Sequence, residues 1–229
     1  MKLICLNTGG GFAERELHDF ITKHAADTDI FCFQEVFHNA HVTTLGDIDQ
    51  NLYTTITKLL SDHTGYYAPS QDNDEGIALF VKPHIKPSEI DDVFVYRHHN
   101  AIEGDDRKTL GRNIQYMQFA QNNQDYTVIN FHGLWNGMGK TDSPDRLDQS
   151  RKIKAFIETR ARGKVVLAGD FNLEPATESL AIVEKGMRNL IKEHNITSTR
   201  SNHYKWPDKF ADYVVVSDGL QVIDRKSVV

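Results

Sequence analysis

The chain has 229 residues, of which 39% are hydrophobic, enough for a proper core in one large domain or two small ones. Its formal charge of -6, from 26 basic and 32 acidic residues, argues against a protein that grips polyanions through its whole surface, although a local basic rim is compatible with it. No segment approaches the run of about 18 apolar residues that a membrane span needs, the chain opens without a basic-then-apolar leader, and no repeat or linker divides it. One cytoplasmic domain without a membrane span, and a monomer, is therefore expected. Residues 2–8 read as a strand with Ile4 and Leu6 on one face and Leu3, Cys5 and Asn7 on the other. The glycines at 9–11 make a loop; G-x-G-x-x-G is not met, because position 14 is Glu. Leu17, Phe20, Ile21 and His24 recur at helical spacing over 13–25. A second strand, 29–35, places Phe31, Phe33 and Glu35 on one face with the carboxylate at its tip. Cys5 and Cys32 lie inside apolar runs and read as buried thiols of a reducing compartment.

Residues 47–63 carry Ile48, Leu52, Ile56, Leu59 and Leu60 on one stripe and predict a helix. Three short strands follow at 66–69, 76–82 and 89–96, then a polar loop over 98–111. The alternating runs 113–120 and 126–132 flank turn residues at Asn122 and Asn123 and predict an antiparallel hairpin ending in His132. After a glycine-rich loop, 133–141, Ser143 and Pro144 cap a helix reaching about Arg162, with Gly163 as its stop and Leu147, Ile153, Phe156 and Ile157 packed on the sheet. Val165 to Ala168 are an unbroken apolar run, hence a strand buried on both faces. It delivers Asp170 and Asn172 at a spacing of two, on one side if the chain stays extended, with Phe171 turned inward. Weaker helices are expected near 177–184 and 187–194, a core strand over 211–217 opening on Asp212, and strand fragments at 220–224 and 227–229.

Strands thus end in Asn7, Glu35, His132 and Asp170, while Asp212 begins another. If those ends converge they make one polar cleft, rich in hard oxygen donors with one imidazole and no thiolate. Such a set suits Mg²⁺ or Mn²⁺ better than Zn²⁺.

Asn7 closing the first strand, Gln34-Glu35 closing the second, Gly76 opening an apolar strand, His132 ending one, the GDFN of 169–172 and Ala211-Asp212-Tyr213 before an apolar run follow one another in order. Together they resemble the endonuclease/exonuclease/phosphatase superfamily over nearly the whole chain. The resemblance implies an α+β fold, a four-layer α/β/β/α sandwich of two mixed sheets flanked by helices, that hydrolyses a phosphoester with Mg²⁺ or Mn²⁺. Carried over by position, Glu35 would ligate the metal with help from Asn7, and Asp170 would orient or deprotonate the attacking water. Asn172 would hold a phosphate oxygen, His132 would steady the developing charge and Asp212 would complete the acid cluster. Glu75 and Arg112 loosely match supporting residues. The family pattern closes with a Ser-Asp-His on a last strand, whereas this sequence ends at Ser227-Val228-Val229. Of the two explanations, a chain that stops before the motif or a variant that dispenses with it, the first is preferred, because the last residues read as the start of a strand. Loss of a general acid or base lowers rates about 10²- to 10⁴-fold, so a folded, metal-binding protein with weak or absent turnover is expected of the sequence as written.

Two other readings compete. Gly139-Lys140-Thr141 suggests a P-loop, but the glycine needed five residues before Gly139 is Leu134, and Asp142-Ser143-Pro144 delays the helix. A catalytically impaired binding module on the same scaffold, recognising a phosphorylated ligand or a protein partner, is the remaining alternative. Trp135 and Trp206 fall in loops near the expected cleft, where they could stack a substrate or pin the loop. The substrate, DNA, RNA or a small phosphorylated molecule, is left open by the sequence.

Overall fold

In the computed structural model, which describes residues 1–41, 48–71, 75–97, 111–201 and 204–224, ten strands form two sheets. The four-stranded sheet has the order β1-β2-β4-β3, built from β1 (Leu3–Asn7), β2 (Ile30–Phe37), β3 (Thr64–Gln71) and β4 (Glu75–Val81). The six-stranded sheet has the order β5-β6-β7-β8-β10-β9, from β5 (Pro87–Tyr96), β6 (Arg112–Gln121), β7 (Gln124–His132), β8 (Lys164–Asp170), β9 (Met187–Asn189) and β10 (Asp212–Ser217). Both are mixed: β1 runs parallel to β2 and β7 parallel to β8, and the remaining pairs are antiparallel.

Alternation along the strands explains the layering. Cys32, Leu79 and Val81 of one sheet meet Met117, Phe119, Val128 and Val166 of the other. Their neighbours Phe31, Phe33 and Phe80 face outward and are covered by Leu17 and Ile21 of α1 (Glu14–Ala25) and by Leu52 and Ile56 of α2 (Leu52–Leu59). On the far side Ile129, Phe131, Val165, Leu167 and Tyr213 pack beneath Ile153 and Phe156 of α3 (Pro144–Thr159), Leu180 and Val183 of α4 (Glu178–Glu184), and Ile191 of α5 (Leu190–Glu193). The result is helix, sheet, sheet, helix, the four-layer α+β sandwich that the resemblance implied. Val165 and Leu167 face the helices and Val166 the other sheet, so β8 is buried on both faces, as its unbroken apolar run requires. Among the described residues no helix is long and apolar enough to cross a membrane.

Local signals account for most element bounds. Ser143 caps α3, its Oγ accepting from Arg146 N, and the β6–β7 hairpin turns through Asn122 and Asn123, both at positive φ (52° and 58°). Several expectations need correction. The helix expected over 47–63 is confined to Leu52–Leu59: Asp49 binds Asn51 N and Thr55 Oγ1 through its carboxylate and so acts ahead of the helix, and Asp47 lies outside the described residues. Helix α3 ends at Thr159 and not near Arg162, while Leu147 is no member of the apolar cluster beneath it. The helix expected at 187–194 is split, since Met187–Asn189 pairs with β10 as an edge strand and Asn189 then caps a single turn. Residues 220–224 form no strand, and the loop expected over 98–111, all but Gly111, and the strand fragment at 227–229 lie outside the described residues.

The instructive departure is in β2. Strict alternation would put Glu35 on the helix-covered face with Phe31 and Phe33. Instead the register against β4 shifts between Phe33 and Val36, and Glu35 takes a left-handed φ of 53° inside a bulge, with the strand continuing to Phe37. That conformation costs a non-glycine residue about 1–2 kcal/mol. Its effect is to turn the carboxylate off the apolar face and toward the tips of β1 and β7.

Candidate active site

Asn7, His132 and Asp170 end β1, β7 and β8, while Glu75, Arg112 and Asp212 begin β4, β6 and β10. Parallel strands deliver their C-terminal ends, and antiparallel strands their N-terminal ends, to the same edge of the sandwich. Register does the rest: Asp170 lies opposite His132 on one side and opposite Asp212 on the other. Close approach depends on Gly169, where an added Cβ would sit 1.9 Å from Phe131 O. Below the cleft a buried amide pair joins the sheets, Gln34 Nε2 donating to Asn130 Oδ1 at 2.7 Å and Asn130 Nδ2 donating to Phe33 O and Ala78 O. Gln34 precedes Glu35 and Asn130 is two residues before His132, so this link sets the height of both.

On the four-stranded side, Glu35 accepts from Asn7 Nδ2 at 2.9 Å and lies 3.8 Å from His132 Nε2. Its side chain keeps 36% of its surface exposed and so opens on the cleft. Partial burial, followed by the nearby Glu75 charge, pushes Glu35 up to about 7. Glu75 lies 3.7 Å from Arg112 Nη1 and 3.8 Å from His132 Nδ1. Arg112 also donates through Nε to Gly133 O at 3.1 Å, tying the loop after β7 to the start of β6. Burial, reinforced by Arg112, pushes His132 down to about 4, so it is a neutral imidazole at physiological pH.

On the six-stranded side, Asp170 Oδ2 accepts from Asn7 Nδ2 at 3.0 Å and Oδ1 accepts from Asn172 N at 2.8 Å. Arg200 Nη1 stands 3.6 Å from Asp170 and 3.9 Å from Asp212. Burial alone would raise Asp170, but the opposing influence of His132, Arg200 and Lys140 holds it below the usual carboxylate range. With His132 neutral, Arg200 and Lys140 are the fixed charges that do so near pH 7. Asp212 goes the other way, pushed well up by burial and by Asp170. Phe131, Phe171 and Tyr213 stack edge-on beneath the carboxylates, at 5.1 and 5.3 Å between ring centres, and give them a rigid floor.

The structure therefore brings Asn7, Glu35, Glu75, Arg112, His132, Asp170 and Asp212 into one cluster. Asn172 reaches it differently from the extended-chain expectation: β8 stops at Asp170, and Asn172 (φ 53°) closes a turn, its side-chain Nδ2 donating to Gly133 O at 3.2 Å. Asn7 turns its NH₂ to both carboxylates while its oxygen accepts from Gly9 N. Trp135 and Trp206 are exposed, and among the described residues no hydrogen bond or ring contact ties either indole to the cluster. Sequence reasoning missed Arg200 and misplaced Lys140. Arg200 sits in a stretch without periodicity, and Lys140 drew notice only as part of a false P-loop. Its ammonium instead donates to Phe210 O at 3.0 Å, next to β10. Among the described residues no three His, Cys, Asp or Glu side chains stand in metal-holding geometry.

Solved structures share this fold at low identity. A mannosyl-6-phosphatase of Bacteroides thetaiotaomicron VPI-5482 is 16% identical, with a TM-score of 0.68 over 95% of this chain and 85% of its own. An endonuclease/exonuclease/phosphatase family protein of Leptotrichia buccalis C-1013-b is 17% identical, with a TM-score of 0.68 over 94% and 87%. TDP2 of D. rerio, solved with a single-strand DNA product, is 15% identical, with a TM-score of 0.67 over 94% and 82%. No curated protein matches the sequence. The sequence itself matches the Endonuclease/Exonuclease/phosphatase family over residues 5–229, a span that takes in every strand tip of the cluster, and the chain belongs to that family of phosphoesterases.

Proposed function

We propose that the protein is a divalent-metal-dependent hydrolase of phosphoester bonds in which water attacks phosphorus in line. The observation that carries this reading is the pair of carboxylates Glu35 and Asp170, bridged by Asn7 and held in opposite electrostatic states at one sheet edge.

The donor set fits Mg²⁺ or Mn²⁺. Such an ion takes one or two carboxylates and keeps several waters, and Glu35 is a half-open carboxylate crowded by another acid with no arginine or lysine paired to it among the described residues. Glu35 would hold it, with Asn7 helping by positioning that carboxylate through its Nδ2, and when bound it would neutralise charge on the phosphoryl oxygens. Asp170 stays ionised and buried, so it orients a water and takes its proton. Neutral His132 has a single N–H, and with that hydrogen on Nε2 it would donate to a phosphoryl oxygen as negative charge grows there. Asp212, pushed toward its protonated form, stands beside Asp170 as a proton donor for the leaving oxygen. Asn172 holds the loop after β7 through Gly133 and presents its remaining amide capacity to a phosphate oxygen.

The substrate class is read from hydrolysis of bis-p-nitrophenyl phosphate, a phosphomonoester, and single-stranded and plasmid DNA, each in Mg²⁺, Mn²⁺ and EDTA. Metal-dependent cleavage that disappears in Asp170→Ala is the expected result. Binding of phosphate with no turnover of any substrate would move the reading to a phosphate-recognising module on this scaffold.

A further inference from the structure

The segment between α5 and β10 carries a guanidinium into the cluster. Thr199 fixes the base of this loop, its Oγ1 accepting from Ala211 N at 3.1 Å and Asp212 N at 3.2 Å, while its own N–H binds Lys209 O. Arg200 is thereby held against the first residue of β10. Its guanidinium carbon lies 4.3 Å from the centre of the Tyr204 ring, and its Nη1 faces Asp170 and Asp212 at 3.6 and 3.9 Å. These are ion-pair and stacking distances, longer than hydrogen bonds. Among the described residues the guanidinium donates no hydrogen bond, and Nε is shut off from solvent with no partner at all.

This is an unusual state for an arginine whose side chain is only 15% exposed. Its charge is balanced by Asp170, Nε is an unmet buried donor, which is costly, and Nη1 and Nη2 make no hydrogen bond among the described residues. Lys140 shows the contrast: its ammonium lies 5.1 Å from the same Tyr204 ring, yet it is committed to Phe210 O and Tyr204 Oη. Lys140 supplies background charge, and Arg200 has donors left to give. The acceptor that matches a planar fork beside a water-orienting carboxylate is a pair of phosphoryl oxygens.

We propose that Arg200 is a phosphate clamp, donating a bidentate pair of hydrogen bonds to the non-bridging oxygens of the substrate phosphoryl group while it remains ion-paired with Asp170. The proposal rests on the phosphoesterase reading above and adds a substrate-contacting residue to it. Two measurements separate the ideas: calorimetric titration of the protein with inorganic phosphate in Mg²⁺, and the kinetics of phosphoester hydrolysis. Arg200→Ala should weaken phosphate binding about 10- to 100-fold and lower kcat/KM with it. Free guanidinium should restore part of the loss, which no purely structural role would allow. Arg200→Lys keeps the charge facing Asp170 and Asp212, so it guards against a folding failure, and it should remain well below the parent because an ammonium cannot form the fork. Phosphate affinity and kcat/KM of Arg200→Ala within about twofold of the parent would overturn the clamp, as would full recovery in Arg200→Lys. If Asp170→Ala stops hydrolysis while Arg200→Ala does not, the reaction stands and the clamp falls. If the parent hydrolyses nothing yet loses phosphate affinity on Arg200→Ala, the clamp stands and the hydrolase reading falls.

Discussion

Glu35 and Asp170 share one amide, Asn7 Nδ2, at 2.9 and 3.0 Å, yet their surroundings drive them in opposite directions. On the four-stranded side, burial and then the neighbouring Glu75 push Glu35 up to about 7. The six-stranded sheet surrounds Asp170 with Arg200 and Lys140, which hold it below the usual range although it is the more buried of the two. The chain has thus supplied its own cations to one carboxylate and withheld them from the other.

The comparison can be broken most severely at Asp170. Asp170→Asn should lower kcat/KM for a phosphodiester about 10²- to 10⁴-fold in Mg²⁺, a loss read directly from initial rates. Gly169→Ala attacks the same side through geometry, since its Cβ would meet Phe131 O at 1.9 Å. A destabilisation of about 1–3 kcal/mol in urea unfolding is expected, with activity falling at temperatures where the fold still holds. Thr199→Val removes the acceptor for Ala211 N and Asp212 N and frees the base of the Arg200 loop; about 1 kcal/mol should be lost, measurable as a lower thermal midpoint.

The smallest effect sharpens the contrast, because its sign is opposite. Glu35→Gln, examined in EDTA at pH 8, should raise the thermal midpoint by about 2 °C or less, and calorimetry should show weaker Mg²⁺ binding. The two carboxylates also predict opposite pH trends in EDTA. Glu35, raised in the fold, contributes stability below its ordinary value near 4.5, lost as the pH rises through about 7. Asp170, lowered in the fold, contributes stability above its ordinary value near 3.8, lost as the pH falls through its folded value. Melting curves of Glu35→Gln and Asp170→Asn from pH 3 to 8 should each flatten one limb; identical profiles would remove the basis of the comparison.

Most of the site could be read from residue order, because polar residues placed directly after apolar runs have few other places to go. Asn7, His132 and Asp170 follow this rule, and so does Asp212 at the start of its strand. Glu35 lies in the cluster, but by a different backbone route from the expected one. A period of two placed it with Phe31 and Phe33, and only the bulge at positive φ turns it to the cleft, a backbone choice for which Gln34-Glu35 carries no local turn signal. Asn172 likewise depends on a turn and not on an extended chain.

The sequence by itself determined which stretches are apolar strands and helices, and the ordered polar residues at their ends carried the resemblance that implied the four-layer sandwich. It also determined that oxygen donors and one imidazole collect at strand ends. Tertiary structure alone decided the electrostatics: which carboxylate receives a cation is set by Arg200 and Lys140, which lie 30 residues on either side of Asp170 in the chain and arrive on loops without periodic pattern. Periodicity reports burial along one element, whereas the charge on a side chain depends on what the other elements bring to it through space.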